Sequence, residues 1–292
     1  MGIVSAKQML LRATEGRYAV GAFNVTSVVQ MKAVIEAAEA KKAPLILQTS
    51  VAPVRLLGVK AWVATCRALA EAAPIPVCLH LDHCTDAALC KAAAHAGYTN
   101  IMIDASKEDF ETNIRITKDV ADDCHRLGDV TVEGELGTVC GVEDQIKVTE
   151  DEASLCDPDK AEEFVRRTGI DLFAPAIGTA HGVYRTKNPR LHFDLLQKVF
   201  EILNGDRPTV PLVIHGGTGL QDDVVRKLVA LGGCKFNVST ELKHTLINAT
   251  YEYVSGHRDE YNPGRIDAAV CQATIQAVSR WIDVLGCAGK AG

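Results

Sequence analysis

The chain has 292 residues, 47% of them hydrophobic, which is ample material for a buried core and sets a prior of one or two domains. Its formal net charge of −6, with no long basic run, excludes the basic footprint that nucleic-acid phosphates demand. No apolar stretch approaches the roughly 20 residues that a membrane-spanning helix needs.

The opening residues, Met1 to Lys7, lack the apolar run of a secretory signal, and Ala6 stands where a myristoylation pattern requires Ser or Thr. The expected compartment is therefore the cytoplasm. The ten cysteines form no CxxC pair, and in a reducing compartment they read as small buried hydrophobes.

Short apolar runs alternate with longer segments of helical period along the chain. The predicted strands are Ala19–Phe23, Pro44–Gln48, Pro76–Leu81, Asn100–Asp104, Val130–Glu135, Asp171–Ala176, Val210–Ile214 and Cys234–Val238. They are continuously apolar, as expected of parallel strands covered on both faces. Predicted helices follow them at Val28–Lys41, Ala61–Ala73, Thr85–Ala96, Phe110–Leu127, Pro158–Thr168, Phe193–Asn204 and Asp222–Leu231. Gly97, Gly128, Gly169, Gly205 and Gly232 stand where helix C-caps favour glycine. No linker interrupts the pattern. Eight βα units over residues 1–292 predict a single (β/α)8 TIM barrel. A doubly wound sheet is disfavoured because no GxGxxG follows the first strand. The polar, acidic stretch Gly137–Asp157 is long for a βα connection and reads as a mobile lid. The tail from Gly286 to Gly292 reads as flexible.

In such barrels the active site lies at the C-terminal ends of the strands. Those ends carry Asn24; Gln48, Thr49 and Ser50; Asp82 and His83; Asp104; Glu133 and Glu135; His181 and Gly182; His215 to Gly219; and Asn237 to Thr240. Three histidines at matching ends, His83, His181 and His215, suit a catalytic zinc with one position open. A lone histidine is more often structural, and His95, His125, His192, His244 and His257 are read that way; His80 is the least certain, because it can point into the barrel. Asp82 reads as a general acid/base, or as a partner orienting a ligand. Asp104 and Glu135 read as weaker metal ligands, or as polar residues closing the barrel end. Gly216, Gly217, Thr218 and Gly219 after the seventh predicted strand, with Asn237, Val238, Ser239 and Thr240 after the eighth, occupy the recurrent phosphate address of this fold.

These stretches resemble the class II, zinc-dependent ketose-bisphosphate aldolases, which act on fructose 1,6-bisphosphate or tagatose 1,6-bisphosphate. The resemblance is carried by Gly21–Asn24, Leu79–His83, Val132–Gly137, Gly141–Asp144, Ala176–Gly182, His215–Gly219 and Asn237–Thr240, in order over nearly the whole chain. It implies zinc on His83, His181 and His215, with Asp82 as proton donor. It implies Gly182, Gly216 to Thr218, and Asn237 to Thr240 around the dihydroxyacetone phosphate part, with Asn24 and Ser50 on the substrate. Asp104 and Glu135 match positions of a second or displaced metal. Glu143 matches an acid on the mobile loop. A monovalent cation, Na+ or K+, near the phosphate is also implied, as is a homodimer or homotetramer. Arg265 lies near the arginine for the distal phosphate, which can serve a neighbouring subunit. Two departures stand near the site: Cys84 follows the Asp-His pair, and Cys140 replaces a glycine before Gly141. Cys84 carries the expectation of sensitivity to thiol reagents. The stretch 141–158 is closer to the fructose-bisphosphate members. A Schiff-base aldolase is disfavoured because only Lys235 lies in a late strand. A metal hydrolase lacks its His-x-His after the first strand, and a non-catalytic phosphosugar-binding barrel has no need of the whole constellation.

Overall fold

A computed structural model describes residues 2–143, 146–149, 152–182, 184 and 189–292, with the backbone alone at 142–143 and 146–147. Its strands are β1 (Val20–Asn24), β2 (Leu45–Thr49), β3 (Val77–Cys84), β4 (Asn100–Ile103), β5 (Thr131–Leu136), β6 (Cys140–Glu143), β7 (Ile146–Val148), β8 (Leu172–Pro175), β9 (Ala180–His181), β10 (Leu212–Ile214) and β11 (Gly233–Val238). Eight of them close a parallel barrel in the order β1-β11-β10-β8-β5-β4-β3-β2. This is the (β/α)8 architecture, and each predicted strand is present, with ends shifted by no more than two residues except in β3, which runs three residues further, to Cys84. Every barrel-strand residue is buried, because side chains of one parity fill the interior and those of the other meet the helices.

Five of the helices start where a side-chain oxygen satisfies a free N–H. Ser27 accepts from the amide of Gln30, Asp86 from those of Ala88 and Leu89, and Asp109 from that of Thr112. Their apolar faces pack on the barrel, and the largest fully buried side chains include Trp62, Trp281, Phe23, Phe164 and Phe173. Each aromatic of that size contributes on the order of 1.5–3 kcal/mol by leaving water.

Helices absent from the predicted set frame the barrel. Ala6–Glu15 lies near the strand starts, where the amide of Ala6 donates to Thr131 Oγ1 and Lys7 Nζ to Asp171. Val51–Leu57 precedes the predicted helix of the second βα unit, and Thr240–Gly256 is followed by the long Pro263–Leu285, which packs against Val28–Ala40. The tail is not the loose end expected. Cys287 is buried, and the amides of Gly289 and Ala291 donate to the carbonyls of Lys41 and Lys42 at 2.9 Å each. The stretch read as a lid contains structure of its own: β6 pairs antiparallel with β7 and parallel with β9, a three-stranded sheet beside the barrel. Among the described residues no helix is long and apolar enough to cross a membrane.

Candidate active site

The register of β3 against β4 breaks between Leu81 and Cys84, where one extra residue is inserted. His83, inside this bulge, has φ of +43°, a left-handed conformation that non-glycine residues rarely adopt. In a regular strand Asp82 and His83 would face opposite sides of the sheet. The bulge lets both line the same pocket.

Donor atoms of His83, His181 and His215 all lie within 4.8 Å of one another. His83 Nδ1 is 2.8 Å from Asp104 Oδ2, and His215 Nε2 is 3.1 Å from Glu133 Oε1. If those carboxylates take the ring N–H of each neutral imidazole, the remaining nitrogens carry lone pairs. Those two nitrogens, His215 Nδ1 and His83 Nε2, are 2.6 Å apart. Two lone pairs at that distance require a cation between or beside them. A proton satisfies this pair alone and leaves the buried Nε2 of His181 with no partner among the described residues. One metal ion satisfies all three, and three neutral imidazoles with an open position are a donor set that suits zinc. The surrounding carboxylates favour a positive charge at this cluster. Burial resists a charged His83, yet the Asp82 carboxylate and then Asp104 push it up to about 10. Burial and the neighbouring His83 push His215 down to about 4.

A second group, His83, Asp104 and Glu135, also has its donor atoms within 4.8 Å of one another. Burial and the Asp104 carboxylate push Glu135 up to about 8, and its Oε2 has no partner among the described residues.

Asp82 sits in a cradle of amides. Its Oδ2 accepts from Asn24 Nδ2 at 2.9 Å and Gln48 Nε2 at 3.3 Å, and its Oδ1 from Asn237 Nδ2 at 3.0 Å. Burial alone would raise its pKa, but His83, His80 and Lys235 hold it well below the usual carboxylate range. It is therefore an oriented, ionised carboxylate at neutral pH.

Across the pocket, β9 is placed by two glycines. At Gly216, with φ of +70°, a Cβ would lie 2.4 Å from the carbonyl oxygen of Ala180. At Gly141, with φ of +112°, it would lie 2.2 Å from that of His181. Tyr184 ties the same turn down, its hydroxyl donating to the Gly216 carbonyl and accepting from the amide of Ala180. Ser239 and Thr240 stand at the start of the helix Thr240–Gly256, whose free N–H groups and dipole favour an anion.

The chain matches the family Fructose-bisphosphate aldolase class-II over residues 4–290. It is 39% identical to the fructose-bisphosphate aldolase of Geobacillus stearothermophilus over 294 residues, covering 100% of this chain and 99% of that protein. It is likewise 39% identical to the D-tagatose-1,6-bisphosphate aldolase subunit GatY of Klebsiella oxytoca over 290 residues, covering 99% and 100%. The crystal structure of the YdjI aldolase from Escherichia coli K12 superposes with a TM-score of 0.85 at 32% identity, covering 99% of this chain and 100% of that one.

This chain belongs to the class II fructose-bisphosphate aldolase family. Class II aldolases are lyases that use a divalent metal on a phosphorylated sugar.

In this aldolase the pocket is lined by Asn24, Asp82, His83, His181, Gly182, Gly216, Gly217, Thr218, Asn237, Ser239 and Thr240. All of them are site residues expected from the sequence. Others lie outside the lining. Asp104 stands behind His83, Ser50 is buried at the start of Val51–Leu57, and Val238 is in the core. Arg265 is exposed in the first turn of Pro263–Leu285. Glu143 closes β6, but its side chain lies outside the described residues, as does all of Asp144. Cys84 is buried and not part of the lining, and its thiol donates to the carbonyl of Asp86. The sequence allowed His80 to point into the barrel, but not its meeting with Glu133 and Lys235, which are fully buried with it below the pocket. Both faces of a parallel strand read as apolar cover, so nothing in the pattern marks which polar residues point inward.

Proposed function

We propose that the protein is a zinc-dependent aldolase that reversibly cleaves fructose 1,6-bisphosphate to dihydroxyacetone phosphate and glyceraldehyde 3-phosphate. The observation that carries this reading is the convergence of three ring nitrogens that no arrangement of protons satisfies. His83, His181 and His215 would hold the ion. When bound, it supplies a Lewis acid for the negative charge that develops on the ketone oxygen as the carbon–carbon bond breaks.

The chain's own groups do the rest. Asp82 takes the proton of the C4 hydroxyl, so that C4 becomes the aldehyde carbon as the C3–C4 bond breaks. The electron pair of that bond stays with the three-carbon fragment, which gains a proton at C3 from Glu143. In condensation both transfers reverse. Asn24, Gln48 and Asn237 keep Asp82 oriented toward the pocket. Gly182, Gly216 to Thr218, and Ser239 to Thr240 bind the phosphate, and this remote binding fixes the reacting carbons in place. A monovalent cation, Na+ or K+, belongs to the same phosphate region. Asp104 and Glu135, with His83, offer a second or displaced position for the divalent ion.

Equal identity to a fructose-bisphosphate and a tagatose-bisphosphate enzyme favours neither sugar. The stretch 141–158 supports fructose, and tagatose 1,6-bisphosphate is the second reading. The test is cleavage of both sugars side by side, before and after a chelator and with zinc restored. Zinc-restorable cleavage with a higher kcat/KM for fructose bisphosphate is expected. Cleavage that is indifferent to chelation overturns the metal role, and a ratio favouring tagatose bisphosphate overturns the substrate.

A further inference from the structure

Below the pocket lies a buried ammonium that the proposed reaction does not use. Lys235 on β11 is fully buried, and its Nζ donates to Glu133 Oε2 at 2.8 Å and Oε1 at 3.1 Å. Glu133, on β5, is equally buried, and the same Oε1 accepts from His215 Nε2 at 3.1 Å. Nζ also lies 3.4 Å from His80 Nε2, and the other ring nitrogen of His80 is 2.7 Å from the amide nitrogen of Asn100. A buried ion pair is a weak source of stability, since well-packed apolar side chains fill such a layer as well or better. What this pair has is direction. Its carboxylate ends on the ring nitrogen of His215 that is not the one meeting His83.

An imidazole that donates Nε2–H to a fixed carboxylate presents Nδ1 as a lone pair, and which nitrogen carries the proton is set by this second bond. His215 Nδ1 is the atom that stands 2.6 Å from His83 Nε2 in the histidine cluster. We propose that Lys235 is a positioning residue of the metal centre: by gripping Glu133 with two hydrogen bonds, it locks the tautomer and orientation of His215. The inference rests on the reading that the three histidines hold a divalent ion. Lys235 is not itself catalytic. Nζ is occupied by Glu133 and Lys235 does not line the pocket, so no Schiff base is formed there.

The test is zinc affinity, measured by competition with a chromogenic chelator on stripped protein, with melting in excess chelator as the check on folding. Two double variants remove both buried charges and differ only in whether an acceptor remains. Lys235→Met/Glu133→Gln keeps an amide oxygen for His215, and Lys235→Met/Glu133→Leu does not. The Leu double is expected to bind zinc about 10–100-fold more weakly than the Gln double, the usual cost of losing such an outer partner. The Lys235→Met single is expected to bind more weakly than the Gln double, because its Glu133 is no longer held. A purely structural role would change melting and leave these affinities alike. Equal affinity of the two doubles overturns the role of the pair, and Lys235→Met binding as tightly as wild type overturns the role of the lysine. His215→Ala is the control: unchanged zinc binding there removes the metal reading itself, while loss there with equal doubles removes only the positioning role.

Discussion

A Cβ on residue 141 would sit 2.2 Å from the carbonyl oxygen of His181, because β6 passes β9 at a distance that only glycine permits. The neighbour that would have to move is backbone, and it belongs to a proposed metal ligand. Gly141→Ala is therefore expected to displace His181, adding about 1–3 kcal/mol of local strain. Zinc affinity should fall while the barrel stays folded. Titration calorimetry and circular dichroism on the same sample check this, and unchanged affinity would show that β9 tolerates the shift.

Asp82 is the centre of the proposed proton transfer and accepts from Asn24, Gln48 and Asn237. Asp82→Asn keeps the volume but cannot take up the C4 hydroxyl proton. Loss of such a group typically lowers turnover by about 10²–10⁴-fold. The expected signature is a large fall in kcat with zinc content and melting temperature near wild type. Turnover within a few-fold of wild type would move the base elsewhere.

Metal removal should be visible in stability as well as in activity. A ligand that binds only the folded chain stabilises it by about 4 kcal/mol at a thousandfold excess over its Kd. Stripped protein should therefore melt at lower temperature and recover with zinc. His181→Ala, which lacks the ring nitrogen left without a partner, should recover much less. Equal zinc-induced shifts in both proteins would place the ion elsewhere.

The parts legible in sequence are those in which neighbours along the chain share a fate. A parallel barrel strand is apolar until it leaves the barrel, so the polar residues at its end announce the site; this is why Asp82, His83, His215 and Asn237 stand out. The left-handed backbone of His83 leaves no such trace, since any histidine looks alike in a string. The pairing of β6 with the two residues of β9 depends on a contact between Gly141 and His181, forty positions apart. Lys235, Glu133 and His80 come from three strands and meet only once the barrel closes. The tail, rich in Gly and Ala, reads as loose because its anchors are backbone amides on the carbonyls of Lys41 and Lys42, which no side-chain pattern encodes.

Cys84 changes meaning between sequence and structure. Adjacent to His83, it reads as a reactive thiol at the site, but it is fully buried and lies outside the pocket lining. Thiol chemistry needs an accessible thiolate. Wild type and Cys84→Ala are therefore expected to lose activity at the same rate under a thiol reagent. A resistant Cys84→Ala enzyme would mean that the buried sulfur becomes exposed during turnover.

The helix Thr240–Gly256 begins at the pocket, yet Leu242 is its only buried residue. Ile247, Tyr251 and Val254, at 63%, 72% and 46% exposure, follow one another at helical spacing and form an apolar stripe facing solvent. A homodimer or homotetramer, which the family resemblance implies, would cover such a stripe. Ile247→Lys combined with Tyr251→Glu should then shift sedimentation toward monomer. If Arg265, exposed and outside its own pocket, serves the distal phosphate of a neighbour, the same variant should raise KM for the bisphosphate. A charge-assisted hydrogen bond of about 1.5–3 kcal/mol corresponds to a KM rise of about 10–100-fold. Arg265→Ala should give a similar rise without dissociation, and the two changes together should add little. A wild type that sediments as a monomer removes the assembly. A dimeric wild type whose Arg265→Ala variant keeps its KM removes only the shared arginine.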